Sequence, residues 1–175
     1  MRWVILPLAL IGSAAAQPAP PNLYAVQNEM DERPSREQKL VLPAFPKEKN
    51  LARIQVDGEV SFDFFVDLES VSVGGDGIVR YSLVARSAGG ATNIAYEGIR
   101  CQGRERKPYA FGRSDGAWSA ARKSRWTSIS TASRDLAQAT LHDAYFCPAG
   151  TIVRDAAEAQ RLLREGGDPR VGADD

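Results

Sequence analysis

Two cysteines and one histidine are the residues of this chain best suited to covalent or redox chemistry. Cys101 and Cys147 are the only thiols, and His142, the single histidine, lies five residues before Cys147. A thiolate beside an imidazole base could act as a nucleophile. A redox site would usually place two residues between its cysteines, whereas 45 lie between these, and a zinc site would need a larger set of ligands. The choice between these sites and a simple disulfide depends on the compartment.

His142 is followed directly by Asp143, and such a pair could transfer protons. No serine in a nucleophile-elbow context precedes the pair, and a lone histidine near a helix end more often faces solvent or the helix dipole. We therefore expect no catalytic residue. A small envelope hydrolase that uses His142 with an acidic partner stays as the alternative.

Three acidic residues, Asp63, Asp67 and Glu69, lie on one predicted strand. Paired carboxylates could cleave glycosides or bind calcium. Asp63 and Asp67 would be about 13 Å apart along an extended strand, too far to share a substrate bond or a metal ion. We interpret these residues as solvent-facing and expect no metal site and no cofactor.

The N-terminus predicts export. Met1 and Arg2 precede an apolar run of ten residues, WVILPLALIG, and the small residues SAAA follow it. This is the pattern of a signal peptide over residues 1–16, cleaved after Ala16. Ten residues are too few to span a bilayer as a helix, and no later segment is apolar enough to do so. We expect a soluble periplasmic protein, and in an exported chain an even pair of cysteines predicts a Cys101–Cys147 disulfide.

Basic residues are concentrated in one part of the chain. Residues 100–134 contain nine basic and only two acidic residues, although the whole chain has no net charge. Four aromatic residues are interleaved with them: Tyr109, Phe111, Trp118 and Trp126. Six cations are candidates for one positive face that binds an anionic partner: Arg104, Arg106, Lys107, Arg122, Lys123 and Arg125. An exported protein rarely meets nucleic acid, so an anionic lipid headgroup, glycan or acidic protein of the envelope is the expected partner; the alternative is a solvated sheet surface.

The order of the elements predicts an α+β domain. Residues 17–50 form a proline-rich tether that contains the apolar segment LVLPAFP, residues 40–46, expected along an edge of the domain. Residues 51–165 form the domain, and residues 166–175 form a disordered tail. Alternating apolar residues and short glycine turns predict an antiparallel β-meander of about five strands with a bulge near residues 69 and 70.

Two helices follow the predicted strands. Apolar residues at three- and four-residue spacing indicate the first helix, which ends at the segment FCPAG. The second begins with Asp155 as N-cap and ends at Gly166. We expect both helices to pack on one face of the sheet.

Several phrases of the sequence resemble one known family. They are FFVDLESVSVGGDGIVRYSLVARSAGGATNIAYEGIRC, RERKPYAFGRSDGAWSAAR and YFCPAGTIVRDAAEA. In their order and spacing they are similar to the CNP1-like family of exported Gram-negative proteins. The resemblance covers residues 40–164 and implies a periplasmic single-domain protein. It implies no catalytic residue.

Overall fold

The computed structural model describes residues 37–56, 58, 61–130 and 132–169, together with Met1. The chain divides into two units, residues 1–34 and 35–175, and the second is described here. Apart from Met1, the predicted signal peptide lies outside the described residues. So do most of the predicted tether and residues 170–175 of the predicted tail.

Six strands follow one another in the sheet in chain order, each antiparallel to the next. They are β1 (Leu51–Ile54), β2 (Phe62–Val73), β3 (Ile78–Ser87), β4 (Thr92–Arg100), β5 (Glu105–Gly112) and β6 (Trp118–Ala120). A short seventh strand, β7 (Thr127–Ser128), also pairs with β5. The predicted antiparallel meander is confirmed, with β1 and β6 as strands that the pattern did not indicate.

The turns and the bulge lie where the sequence predicts them. Gly77 and Gly90 have φ angles of 73° and 86° at the ends of the two hairpin turns that flank β3. These left-handed conformations suit glycine because it has no Cβ. Between Asp67 and Ser72 the register of β2 against β3 shifts, which confirms the predicted bulge. There the Ser70 hydroxyl accepts a hydrogen bond from the amide of Ser82 at 2.8 Å, in place of a regular ladder bond.

Two helical regions follow the sheet. The first comprises α1 (Leu136–Thr140) and a π-helical segment, Leu141–Phe146, and the second is α2 (Ala156–Glu165). The Asp155 carboxylate caps α2 by accepting a hydrogen bond from the amide of Glu158 at 2.8 Å. Gly166 ends α2 in the left-handed conformation, with φ of 88°. Both caps agree with the sequence prediction.

The main hydrophobic core lies between one face of the sheet and these helices. Val66, Val79 and Ile99 of the sheet are fully buried, as are Leu141 and Phe146 of the π-helical segment. We call this face the helix face and the opposite one the open face. Helices on one face of the meander are the arrangement that the sequence predicts.

Residues that precede β1 contact the open face. The amide of Gln38 donates a hydrogen bond to Asp76 at 2.8 Å. The indole of Trp118 donates one to the carbonyl of Pro43 at 2.9 Å, and the ring of Phe45 packs against that indole at 5.3 Å between centroids. At the other end, the amide of Asp168 donates to the carbonyl of Ala144 at 2.8 Å.

Candidate functional site

Cys101 and Cys147 form a disulfide, as predicted. Their sulfur atoms are 2.08 Å apart and their Cα atoms 5.6 Å apart. Cys101 follows β4 and Cys147 follows the π-helical segment, so the bond ties the helical region to the sheet. These are the only cysteines of the chain, and therefore no free thiol remains for a Cys/His nucleophile or a zinc site.

His142 lies in a charged cluster beside this disulfide. Its Nδ1 is 2.7 Å from Asp143 Oδ1 and 3.0 Å from a guanidinium nitrogen of Arg104, and its Nε2 is 3.4 Å from the carbonyl oxygen of Cys101. Arg104 donates hydrogen bonds to both carboxylate oxygens of Asp143, one of them at 2.8 Å. Burial alone would raise the pKa of Asp143, but the hydrogen bonds from Arg104 and His142 outweigh it and hold that pKa below its usual value.

These contacts give His142 a structural position. Its side chain is buried, and each ring nitrogen already faces a polar partner. Among the described residues, no serine or threonine hydroxyl forms a hydrogen bond with the ring. Arg104 holds a left-handed backbone, with φ of 49°, which is strained for a residue with a Cβ. With the backbone in that conformation, the side chain of Arg104 is held by its bidentate contact with Asp143. The cluster thus fastens the β4–β5 turn to the π-helical segment and assembles no nucleophile.

The side chain of Arg106 lies on the helix face of the sheet. One guanidinium nitrogen donates to Asp135 at 2.9 Å, and another lies 3.6 Å from Glu97. The carboxylate of Glu97 also accepts hydrogen bonds from the Tyr81 hydroxyl at 3.1 Å and from Gln138 at 3.0 Å. Glu97 and Asp135 are both almost fully buried, and Arg106 supplies positive charge to both of them; the exposed Arg134 adds a second contact to Asp135 at 3.6 Å.

Lys107 points to the open face, because side chains alternate along a strand. Its ammonium group lies 2.8 Å from the carboxylate of Glu37. Arg80, also on the open face, is 2.6 Å from the carboxylate of Asp76. The ring of Tyr109 lies within 6 Å of both cations, at 5.4 Å from the Lys107 ammonium and 5.7 Å from the Arg80 guanidinium. Lys107 thus belongs to a compensated network.

The remaining three candidates lie together in an exposed loop. Arg122, Lys123 and Arg125 belong to the connection between β6 and β7, and we call residues 122–125 the basic loop. Within the described part of the chain, none of the three forms an ion pair. Trp126 follows the loop, with the guanidinium of Arg100 over its ring at 4.3 Å. The basic loop is therefore a small surface of uncompensated positive charge.

The structure divides the six predicted cations instead of gathering them on one face. Arg104, Arg106 and Lys107 point to separate carboxylates, whereas the basic loop holds the other three. The aromatic residues are divided as well. Tyr109 is buried, Trp118 contacts residues 43 and 45, and Phe111 is 47% exposed on β5. A role of these residues in binding an anion stays a prediction.

Comparison with known proteins places the chain in a family. The sequence profile of the CNP1-like family matches residues 30–164, more than three quarters of the chain. The protein belongs to the CNP1-like family. No curated protein and no solved structure matches the chain. The matched range of this CNP1-like chain includes both half-cystines, the basic loop, α1 and all of α2 except Glu165.

Two observations bear on where this CNP1-like protein resides. Disulfides persist in oxidising environments, and the Cys101–Cys147 bond is consistent with such a compartment. Among the described residues, the helices are too short or too polar to cross a bilayer.

The described residues also contain no cluster of three or more histidine, cysteine or acidic side chains that could hold a metal ion.

One acidic residue of this CNP1-like protein does not lie where the sequence predicts. Asp63 and Glu69 are exposed, as expected, but Asp67 is only 2% exposed, so its interpretation as solvent-facing was wrong. Residues 43–50 lie over the β2 bulge and cover it. Local pattern held no signal for this burial, because Asp63 has the same parity on β2 as Phe65 and Asp67 and is exposed.

Proposed function

We propose that this CNP1-like protein is exported to the periplasm and acts there as a non-catalytic binding module of the cell envelope. In this proposal the basic loop contacts an anionic envelope component. The signal peptide is removed after Ala16, and the domain that begins near residue 51 carries the binding surface.

The basic loop is the observation that carries the proposal. Ion pairs satisfy the other three candidate cations, and an arginine that already compensates buried carboxylates cannot leave them without cost. Arg122, Lys123 and Arg125 are exposed and have no such partner among the described residues. Three positive charges within four residues favour an anion.

The chemistry of the loop suits phosphate and carboxylate groups. A guanidinium group forms two parallel hydrogen bonds with either anion, and the ammonium of Lys123 adds a point charge. In the envelope such anions are carried by lipid headgroups and acidic glycans. The hydrolase alternative gains no support from the contacts of His142, because both ring nitrogens are occupied.

A binding assay at two salt concentrations tests this function. Vesicles containing phosphatidylglycerol and an acidic polysaccharide serve as separate probes, and vesicles of phosphatidylcholine serve as the uncharged control. Exposed charges act over about 30 Å at 0.01 M salt and about 8 Å at 0.15 M, so we expect binding at the lower concentration that weakens at the higher one. If neither anionic probe binds at low salt, the basic loop is only a solvated surface.

A further inference from the structure

The hydrophobic core covers only one end of the helix face. Val66, Leu83, Ala95 and Phe111 lie opposite one another on β2 to β5 and form one row across this face. Val66 is fully buried and Leu83 is 6% exposed, whereas Phe111 at the other end of the row is 47% exposed. Apolar surface that continues out of a core, unlike a single exposed residue, marks a site of interaction.

An apolar groove lies at this uncovered end of the row. It has a volume of about 410 Å³, and Leu83, Ala85 and Ala95 line it together with Phe111. Because alanine is small and phenylalanine is large, the two alanines form the floor of the groove and the Phe111 ring forms a wall. The volume is near the lower end of the range of about 300–1,000 Å³ that is usual for small-molecule sites. The groove therefore suits one narrow apolar chain.

The basic loop lies at the same edge of the sheet as this groove. Phe111 is directly opposite Ser119 on β6, and Arg122 follows Ser119 by three residues. The amide of Ala121 donates a hydrogen bond to the carbonyl of Tyr109 at 2.9 Å, which keeps the chain beside β5 up to the loop. At about 3.3 Å per residue and about 5 Å between strands, the Arg122 backbone lies within about 15 Å of the Phe111 backbone. One elongated ligand can therefore reach both the groove and the loop.

The groove separates the two kinds of anion that the basic loop could bind. An acidic glycan carries hydroxyl groups along its whole length and needs polar partners beyond the loop. Among the described residues that line the groove, only Thr92 and Asn93 have polar side chains, and none is charged. An anionic lipid combines a phosphate with an acyl chain, so one molecule matches both the cations and the apolar surface.

We propose that the groove and the basic loop together bind a single-chain anionic lipid. Its acyl chain lies in the groove against Ala85, Ala95 and Phe111, and its phosphate accepts hydrogen bonds from the cations of the basic loop. This inference rests on the proposed function of the basic loop and specifies the ligand of that loop.

Calorimetry at low salt with alkyl phosphates tests the chain and the headgroup separately. Dodecyl phosphate is the main probe, kept below the concentration at which it forms micelles, whereas octyl phosphate has a shorter chain and inorganic phosphate has none. Each fully buried methylene strengthens binding about fourfold. We expect dodecyl phosphate to bind at least about tenfold more tightly than octyl phosphate, and inorganic phosphate to bind most weakly. Dodecylphosphocholine, whose headgroup has no net charge, should bind at least about tenfold more weakly than dodecyl phosphate.

Variants assign each part of the ligand to its site. Phe111→Gln removes the apolar wall and Ala95→Phe fills the floor, so each should weaken dodecyl phosphate binding about fivefold or more. Val41→Gln is the matched control, since Val41 is 75% exposed and lies outside the groove, and it should leave binding unchanged. Replacing the three cations of the basic loop by glutamine should remove the preference for dodecyl phosphate over dodecylphosphocholine. Phe111→Gln decides the question if Ala95→Phe fails to fold.

The outcomes separate this inference from the function on which it rests. Suppose that anionic vesicles or the polysaccharide bind, but dodecyl phosphate binds no more tightly than octyl phosphate or is unaffected by Phe111→Gln. The groove site would then be overturned, and the function of the basic loop would stand. Full binding of dodecyl phosphate by the basic-loop variant would overturn the joint use of groove and loop. Absence of binding by dodecyl phosphate, the vesicles and the polysaccharide alike would overturn both proposals.

Discussion

Asp67 on β2 lies directly opposite Ser82 on β3, and each side chain has a buried oxygen that accepts no hydrogen bond from the described residues. Directly opposed residues place their Cβ atoms about 4.5–5.5 Å apart. The two buried oxygens therefore lie on the same face of the sheet, on directly opposed residues of neighbouring strands. Such positions lower the stability of a fold and are often kept for function.

The first prediction follows from the pKa of Asp67. Burial raises this pKa above the usual value for aspartate. A carboxyl with a raised pKa holds its proton more tightly in the folded chain. Its stabilising contribution is present below the unfolded pKa of about 4 and is lost as the pH rises through the folded pKa. Asp67→Asn should therefore raise the melting temperature at pH 7 by a few degrees, with a smaller gain near pH 4.

Asp63→Asn provides the control for this measurement, because its carboxylate is exposed and its surface pair contributes about 0–1 kcal/mol. Thermal melts of the wild type and both variants across the pH range give the differences directly. A loss of stability in Asp67→Asn at pH 7 would show that the carboxylate supports the fold.

The second prediction concerns the disulfide. Cys101 and Cys147 are 46 positions apart in the sequence. In the chain-entropy model, closing a loop of this length stabilises the fold by roughly 4 kcal/mol. The double variant Cys101→Ala with Cys147→Ala should lower the melting temperature by roughly 8–16 °C. Reduction of the wild type should lower it by a similar amount. A drop of less than about 2 °C in both experiments contradicts the prediction.

The third prediction contrasts two adjacent residues of β5. Arg106→Met leaves the buried Glu97 without a cation and leaves Asp135 with only the exposed Arg134 at 3.6 Å, which should cost about 3–5 kcal/mol. Lys107→Met removes one ion pair with Glu37 on the other face and should cost less, because Glu37 is a quarter exposed and keeps Arg80 at 3.8 Å. Urea unfolding measures both free energies. Equal costs would show that Arg106 is not the cation on which the interior carboxylates depend.

The fourth prediction concerns export. When the full sequence is expressed in a Gram-negative host, the mature protein should be recovered from the periplasmic fraction with Gln17 as its first residue. N-terminal sequencing or intact mass identifies the cleavage site. Recovery of the chain with Met1 still present would contradict export through this signal peptide.

Local pattern was sufficient to predict the long strands and both helices. β3 is a ten-residue run of strand-forming residues between glycine turns, and α2 has a cap at each end. β1 and β6 contain only four and three residues, too few for a periodicity to be recognised. They are strands because β2 and β5 offer edges with which they pair. Identifying β1 and β6 as strands therefore requires the tertiary structure.

The site was predicted less completely, for the same reason. Two-residue alternation predicts that Arg106 and Lys107 lie on opposite faces. Their partners could not be predicted, because Asp135 is 29 residues from Arg106 and Glu37 is 70 residues from Lys107. The burial of Asp67 likewise depends on residues 43–50, which no local pattern places over β2. A cluster of charge in the sequence shows how many cations are present, and only the fold shows which of them are uncompensated.

The most direct test of the binding function is the comparison of two charge-matched triple variants. Arg122→Gln, Lys123→Gln and Arg125→Gln remove three charges from the basic loop. Arg154→Gln, Arg161→Gln and Arg164→Gln remove three exposed charges on and just before α2. Co-sedimentation at low salt with the anionic probe that binds the wild type is the measurement. We predict that binding is lost in the basic-loop variant and retained in the α2 variant, with both proteins melting like the wild type. Equal loss in both variants, or retention in both, would contradict a binding function for the basic loop.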